Sequence, residues 1–106
     1  SQNMRIAKEE IFGPVLCVLK WKDEEEMFAQ VNAVEYGLTG SIWTTGLANA
    51  HRAANRVEAG YIWINSAGDH FLGASFGGYK QSGVGREEGA DELLSYTQVK
   101  NINITL

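Results

Sequence analysis

Residues 76–87 read FGGYKQSGVGRE, and four of these residues are glycine. A glycine inside a helix or strand costs roughly 0.5 to 1 kcal/mol relative to alanine, so a regular element would not carry so many. Glycine suits loops with positive φ angles, and places where the backbone must come close to a ligand or to another segment. We therefore predict that this segment, the glycine loop (residues 76–87), is a functional loop.

The glycine loop does not match the generic motifs for phosphate binding or nucleophilic catalysis. Residues 83–85, followed by Gly89, miss the dinucleotide fingerprint by one position, and no strand directly precedes them. The Gly-Lys-Ser or Gly-Lys-Thr ending of a P-loop is absent, and Ser82 lacks the flanking glycines of a nucleophile elbow. A small phosphate-binding module therefore stays only as an alternative.

The remaining residues with reactive side chains are few and scattered. Cys17 lies within an apolar run and is predicted to be a small core residue, because a reactive thiolate needs an electropositive, partly exposed setting. His51 falls among helical residues at the surface. His70 follows Asp69, which could orient the imidazole, but no paired nucleophile is apparent. Two histidines and one cysteine at such positions predict no metal site.

Two predicted strands and a helix precede the middle of the chain. Residues 15–21 form an almost unbroken apolar run, which is typical of a strand covered on both faces of a parallel sheet. A helix should then begin after Asp23, because Glu26 three residues later completes a capping box, and should end at Gly37. Residues 40–44 are the second strand.

A second helix and a third strand complete a repeating pattern. The helix spans residues 47–58 and is stopped by Gly60, and the strand spans residues 61–65. Strand, helix, strand, helix, strand at this spacing predicts an α/β fold with a parallel βαβαβ unit.

The last third of the chain is less regular. About twenty residues of loop follow residue 66, and a loop of that length is unusual in a compact domain unless it has a function. A short helix is predicted from residue 86 or 87 to residue 94. Residues 99–106 alternate between apolar and polar side chains, which predicts an edge strand that could pair with another segment or subunit.

Size and composition exclude several classes of protein. The 106 residues, with a net charge of −4, fit one domain or a piece of a larger one. No cluster of basic residues supports nucleic-acid binding, and the single cysteine excludes an internal disulfide and suits a reducing compartment. Without a membrane-length apolar stretch or a signal peptide, the chain is expected to be soluble, cytoplasmic and part of something longer.

Two segments together resemble a known family. EEIFGPV at residues 9–15 and the glycine loop are similar to two signature segments of the NAD(P)-dependent aldehyde dehydrogenase superfamily, and residues 37–44 and 59–65 match between them. The resemblance covers essentially the whole chain and implies the carboxy-terminal quarter of a subunit. It implies that residues 1–96 belong to the catalytic domain and residues 97–106 form the oligomerisation strand of a dimer or tetramer.

The resemblance also implies roles for single residues. Glu10 matches the glutamate that accepts hydrogen bonds from the nicotinamide ribose, and Phe12 matches the aromatic residue beside the nicotinamide of NAD or NADP. His70, Phe71 and Phe76 fall in the loop that lines the aldehyde tunnel. We expect the early segment and the glycine loop to share one cavity.

Other positions are expected to be structural, or depart from the family. Ser75 replaces the proline usual before Phe-Gly-Gly. Lys80, Ser82 and Arg86 are expected to hold the glycine loop in place. Cys17 does not align with the family's nucleophile, and no catalytic residue is expected here, because the catalytic cysteine, glutamate and oxyanion asparagine lie upstream in the family.

The resemblance thus implies a fragment of an enzyme that oxidises an aldehyde to a carboxylic acid with NAD or NADP, and that is inactive without its upstream part. Aromatic residues in the tunnel loop favour an apolar or aromatic aldehyde. The alternative is a truncated, non-catalytic module that acts only in subunit assembly through its last strand.

Overall fold

The computed structural model describes all 106 residues and contains three α-helices and two pairs of short strands. In chain order these elements are α1 (Glu24–Val31), β1 (Tyr36–Gly37), β2 (Thr39–Ile42), α2 (Leu47–Arg56), β3 (Tyr61–Ile64), β4 (Tyr79–Lys80) and α3 (Ala90–Ser95). A short 3-10 turn at Arg5–Ala7 precedes them.

Helix α1 begins where the capping box predicts. The side chain of Asp23 accepts a hydrogen bond of 2.8 Å from the backbone N–H of Glu26, which satisfies a free donor of the first turn. The predicted end at Gly37 is wrong, because the helix stops at Val31. Gly37 instead belongs to β1, where its carbonyl accepts from the N–H of Gly60 at 3.0 Å and its N–H donates to Ser82.

Two arginines of α2 hold it against α1, since Arg52 donates to Glu24 at 2.8 Å and Arg56 pairs with Glu25. Arg56 donates two hydrogen bonds to the carboxylate of Glu25, at 2.6 and 2.5 Å, and its guanidinium lies 4.1 Å over the ring of Phe28. Phe28 is only 3% exposed. The hydrogen bonds from Arg56 lower the pKa of the Glu25 carboxyl below its ordinary value, so this pair is retained until the solution becomes clearly acidic.

The βαβ unit formed by β2, α2 and β3 is confirmed. The strands are parallel and in register from Thr39 opposite Tyr61 to Ile42 opposite Ile64. Helix α2 crosses between them and contains the buried Ala50, so small side chains let it pack closely. These three elements match the predicted second strand, second helix and third strand to within two residues at each end.

The predicted first strand does not form. Residues 15–21 carry no strand and no ladder hydrogen bonds, Leu16 is 86% exposed, and Cys17 is exposed instead of buried in a core. The strand predicted over residues 99–106 does not form either, since residues 97–106 have no regular structure. Of the predicted three-stranded βαβαβ unit, only the two parallel strands β2 and β3 form. A strand needs a hydrogen-bonding neighbour, and no segment of the chain pairs with residues 15–21.

The long loop is more ordered than predicted. Strand β4 pairs antiparallel with β1, with Tyr36 opposite Lys80, and an isolated antiparallel bridge joins Phe76 to Glu87 through two backbone hydrogen bonds of 2.8 and 2.7 Å. The bridge closes the two ends of the glycine loop. It also holds Glu87 in extended backbone, so α3 begins only at Ala90, later than predicted.

Direct backbone packing brings the glycine loop against the start of β3. A Cβ atom on Gly60 would lie 1.7 Å from the carbonyl oxygen of Gly77, a distance at which no side chain fits. On the other side of the glycine loop, Gly85 has a φ of 84°, a conformation that side chains with a Cβ rarely adopt. Both predicted uses of glycine, close approach and positive φ, are confirmed.

The chain covers little of its own apolar surface. The radius of gyration is 18.5 Å, whereas a compact domain of this length has about 13 Å. Only four hydrophobic side chains are buried, namely Phe28, Ala50, Ala59 and Trp63. None of the helices has the length and apolar character needed to cross a bilayer.

The packing at Gly60 generates a test of the fold. Gly60→Ala should lower the free energy of unfolding by about 2 kcal/mol or more, because the new Cβ clashes with a backbone carbonyl that cannot move aside without breaking the strand pairing. The control is Gly13→Ala, where the nearest atom would lie 3.9 Å from the Cβ. Urea unfolding of both variants measures the difference, and equal midpoints would contradict the packing.

Candidate functional site

An aromatic cluster forms between β3, the loop that follows β3 and the start of the glycine loop. Its members are Tyr61, Trp63, His70 and Phe76. Tyr61 and Trp63 are two residues apart on β3 and so point to the same face of the strand. The ring of Phe76 lies 5.5 Å from that of Tyr61 and 4.8 Å from that of His70, and His70 stacks on Tyr61 at 5.8 Å with 17° between the planes.

A hydrogen bond from Trp63 holds the loop between β3 and the glycine loop against this cluster. Trp63 is buried, and its indole N–H donates a 2.6 Å hydrogen bond to the backbone carbonyl of Asp69. This bond satisfies the single donor of the indole and fixes the position of the next residue, His70.

Glu88, and not the adjacent Asp69, orients the imidazole of His70. The Nδ1 atom of His70 lies 2.8 Å from both carboxylate oxygens of Glu88. The sequence offered no signal for this contact, because the two residues are 18 positions apart and the apolar and polar pattern does not single out Glu88. The expectation that Asp69 could orient the imidazole is wrong, because the side chain of Asp69 makes no hydrogen bond to His70.

Glu88 is itself held in a strained backbone conformation. Its φ of 63° lies in the left-handed region, which costs a non-glycine residue of order 1 to 3 kcal/mol and persists only where surrounding contacts enforce it. Those contacts are present, since the N–H of Glu88 donates to the carboxylate of Glu92 at 2.8 Å and its carbonyl accepts from Gly73 at 3.1 Å. The carboxylate that faces His70 is therefore attached to a backbone that is held in one conformation.

Lys80, Ser82 and Arg86 hold the glycine loop, as expected. The ammonium of Lys80 donates to the carbonyls of Asn32 and Val34, at 2.6 and 3.2 Å, and pairs with a carboxylate oxygen of Glu58 at 2.7 Å. The hydroxyl of Ser82 accepts from the N–H of Gly37 in β1 at 2.9 Å, and Arg86 donates to the carbonyls of Gly78 and Gly85. Lys80 and Ser82 thus tie the glycine loop to residues outside it, and Arg86 bonds within the loop.

Two neighbouring cavities border the glycine loop. One, of about 670 Å³, lies between this loop and α3 and is lined by Phe76 and Arg86 among others. The second, of about 590 Å³, is lined by Glu10 together with glycine-loop residues. Leu38 and Ser82 line both cavities. The prediction that the early segment and the glycine loop share one cavity is therefore confirmed for Glu10, whereas neither Phe12 nor Phe76 lines the cavity that Glu10 shares with the loop.

Glu10 and Phe12 are both uncovered. The Glu10 carboxylate is exposed and takes part in no hydrogen bond or ion pair within the chain, so both of its oxygens are free to accept. The Phe12 side chain is 93% exposed on a backbone with a φ of 55°. A bare ring on a left-handed backbone is unfavourable for stability alone, which makes the pair a candidate contact for a flat ligand that carries hydroxyl groups.

The predicted substrate residues are only partly brought together. His70 and Phe76 meet in the aromatic cluster, whereas Phe71 is 64% exposed and makes none of the ring contacts of that cluster. The chain contains no group of three or more His, Cys, Asp or Glu side chains that could hold a metal ion.

Comparison with known proteins gives a consistent result. The sequence profile of the aldehyde dehydrogenase family matches residues 1–102. A curated relative, aldehyde dehydrogenase tropH of Talaromyces stipitatus, is 54% identical over 106 residues, an alignment that covers 100% of this chain and 21% of the relative. The chain therefore spans about a fifth of the length of the curated relative it matches.

Solved structures agree with the sequence comparison. The NAD+ complex of an aldehyde dehydrogenase from Bacillus cereus superposes with a TM-score of 0.89 at 46% identity, covering 94% of this chain and 20% of that one. The indole-3-acetaldehyde dehydrogenase AldA of P. syringae, in complex with NAD+ and IAA, superposes with a TM-score of 0.89 at 42% identity, covering 100% of this chain and 21% of that one.

The contacts of Lys80 generate a test of how the glycine loop is held. Lys80→Met should speed amide exchange at Gln81, whose N–H donates to Glu35 at 3.0 Å, by about tenfold, because hydrogen bonds to a charged group are lost and the site is partly exposed. Hydrogen exchange with mass spectrometry measures the rate. Lys100→Met, at an exposed position whose side chain makes no hydrogen bond or ion pair, is the control. Equal rates in both variants would show that Lys80 does not hold the loop.

Proposed function

The chain belongs to the aldehyde dehydrogenase family, and on that basis we propose that it is the carboxy-terminal part of a subunit that oxidises aldehydes to carboxylic acids with NAD or NADP. The match to residues 1–102, and the fivefold greater length of the relative, support a part of a longer enzyme. The reaction converts aldehyde, water and NAD(P)+ into carboxylate, NAD(P)H and two protons.

The free carboxylate of Glu10 beside the glycine loop is the observation that carries this proposal. Its two unpaired oxygens suit the adjacent hydroxyls of a ribose, since a carboxylate can accept from both donors at once. The uncovered ring of Phe12 suits a flat heteroaromatic ring. The residues present therefore fit a nicotinamide nucleotide. When bound, the nicotinamide accepts the hydride, and the part of Glu10 and Phe12 is to bind and orient it.

The aromatic cluster and Phe71 are proposed to line the aldehyde site. The neighbouring rings around His70 and Phe76 offer an apolar surface to an aromatic or apolar aldehyde. The P. syringae structure, an indole-3-acetaldehyde dehydrogenase with NAD+ and IAA, is a related protein named for an aromatic aldehyde. The exposed Phe71 would contact substrate from the outer side of the loop.

The carboxy-terminal segment is proposed to act in assembly. Ile102, Ile104 and Leu106 alternate with polar residues along the chain and are exposed, which is the pattern expected of a strand that lacks its neighbour. We propose that residues 97–106 pair with another subunit of a homodimer or homotetramer, and that residues 1–96 belong to the catalytic domain. The alternative of an independent assembly module is less well supported, because only four hydrophobic side chains are buried in the chain alone.

Glu10 gives the direct test of cofactor binding. In the full-length protein, Glu10→Ala should lower kcat/KM for NAD+ by about 10- to 100-fold, because a hydrogen bond to a charged group is worth about 1.5 to 3 kcal/mol. Glu9→Ala is the matched control, since Glu9 is the neighbouring carboxylate and is paired with Arg5 at 2.7 and 2.8 Å. Steady-state kinetics decide, and an equal effect of both substitutions would show that the ribose assignment is wrong.

Phe76 gives the matching test of the aldehyde site. In the full-length protein, Phe76→Leu should lower the kcat/KM ratio of an aromatic to an aliphatic aldehyde by about threefold to tenfold, because an aromatic pair is worth about 0.5 to 1.5 kcal/mol. The control is Leu72→Ala, at a fully exposed loop position. Benzaldehyde against butanal is a suitable pair, and an unchanged ratio would remove Phe76 from the site.

A further inference from the structure

We propose that Glu88 is a positioning residue that fixes the imidazole of His70, and that the fixed ring selects aromatic aldehydes carrying a hydroxyl group. The inference rests on the proposed function, because it takes His70 to be in the aldehyde site. It refines the expectation of a purely apolar or aromatic substrate by adding one polar requirement.

The geometry of the pair determines which imidazole nitrogen carries a proton. Nδ1 of His70 is 2.8 Å from both oxygens of Glu88, and an ionised carboxylate can only accept hydrogen bonds. Nδ1 must therefore carry a hydrogen and donate it. The same contact stops the ring from flipping, because a flip would place a carbon atom against the carboxylate.

The pair is built for orientation more than for stability. Side chains of His70 and Glu88 are 40% and 34% exposed, and ion pairs at such positions contribute at most about 1 kcal/mol. Yet Glu88 keeps a left-handed backbone that is enforced by hydrogen bonds to Glu92 and from Gly73. A costly backbone that supports a weak pair is better explained by a need to place the His70 ring.

The other ring nitrogen is then available to a substrate. Nε2 of His70 makes no hydrogen bond within the chain, and the ring stacks on Tyr61 and is tilted by 43° against the ring of Phe76. Nε2 accepts when the ring is neutral and donates when it is charged, and a hydroxyl group can satisfy either state because it both donates and accepts. An aromatic aldehyde with a hydroxyl could thus place its ring beside those of the cluster and its hydroxyl on Nε2.

The Tyr61 hydroxyl is the rival for this role. It also makes no hydrogen bond within the chain, whereas the indole N–H of Trp63 is already bonded to Asp69. Nothing fixes the Tyr61 hydroxyl in the way that Glu88 fixes His70, so we assign the selectivity to the histidine. A substitution that removes only the tyrosine hydroxyl separates the two.

The experiment compares hydroxybenzaldehydes with methylbenzaldehydes in the full-length protein. The ortho, meta and para isomers of each are assayed with NAD+, since a methyl group has nearly the size of a hydroxyl but cannot hydrogen-bond. We expect at least one hydroxyl isomer to be preferred by about tenfold in kcat/KM, mostly through KM, because the hydroxyl is bound in both the ground and transition states.

The variants assign that preference to the pair. His70→Phe should bring the ratio of kcat/KM for the hydroxybenzaldehyde to that for the methylbenzaldehyde close to one. Glu88→Leu should lower this ratio threefold or more. Glu88→Gln should restore most of it, because its amide oxygen can still accept from Nδ1. Tyr61→Phe and the surface control Glu24→Gln should keep the wild-type ratio. A ratio that survives His70→Phe, or that is lost in Tyr61→Phe, would overturn the inference.

Binding without turnover separates this inference from the proposed function. Calorimetric titration with the hydroxybenzoate and the methylbenzoate of the preferred isomer should show the same ratio in Kd, and the same loss in His70→Phe. Oxidation of all the aldehydes without a hydroxyl preference would overturn the inference alone. A hydroxyl preference in binding without any aldehyde oxidation would overturn the proposed function and leave the polar site in place.

Discussion

The close backbone contact between Gly60 and Gly77 is the constraint on which the rest of the structure depends. Because Gly60 has no Cβ, the carbonyl of Gly77 lies directly against the start of β3. The pairing of β4 with β1 and the bridge between Phe76 and Glu87 follow from that position. One face of β3 thereby comes next to the loop, and the aromatic cluster forms between them.

The two candidate contact regions lie on either side of this junction. Glu10 borders a cavity that also includes glycine-loop residues, and the aromatic cluster lies where Phe76 enters the loop. Leu38 and Ser82 separate the two cavities. Under the proposed function, the cofactor would bind at the Glu10 cavity and the aldehyde at the aromatic cluster. Polar side chains around the loop bond to backbone carbonyls and fix its path.

The distribution of apolar surface explains why the fold is open. Long runs such as residues 15–21 are apolar but exposed, and the chain extends over 71 Å in its longest dimension. Burial of a hydrophobic side chain is worth about 1.5 to 3 kcal/mol, so these runs represent a large stabilisation that this chain does not realise by itself. A partner surface that covers them would supply both the missing strand neighbours and the far walls of the two cavities.

Local features were determined by the sequence itself. The Asp23 cap depends on a residue three positions away, and the strand beginning at Tyr61 and helix α2 depend on short-range periodicity, so all were predicted closely. The family resemblance likewise lay in contiguous motifs. Tertiary structure alone paired Glu88 with His70, placed Phe76 and Glu10 in different cavities and left residues 15–21 without a strand partner. The physical reason is that these contacts join segments that are far apart in the chain. The pattern of apolar and polar side chains indicates which face of a segment must be buried, but not which other segment packs on it.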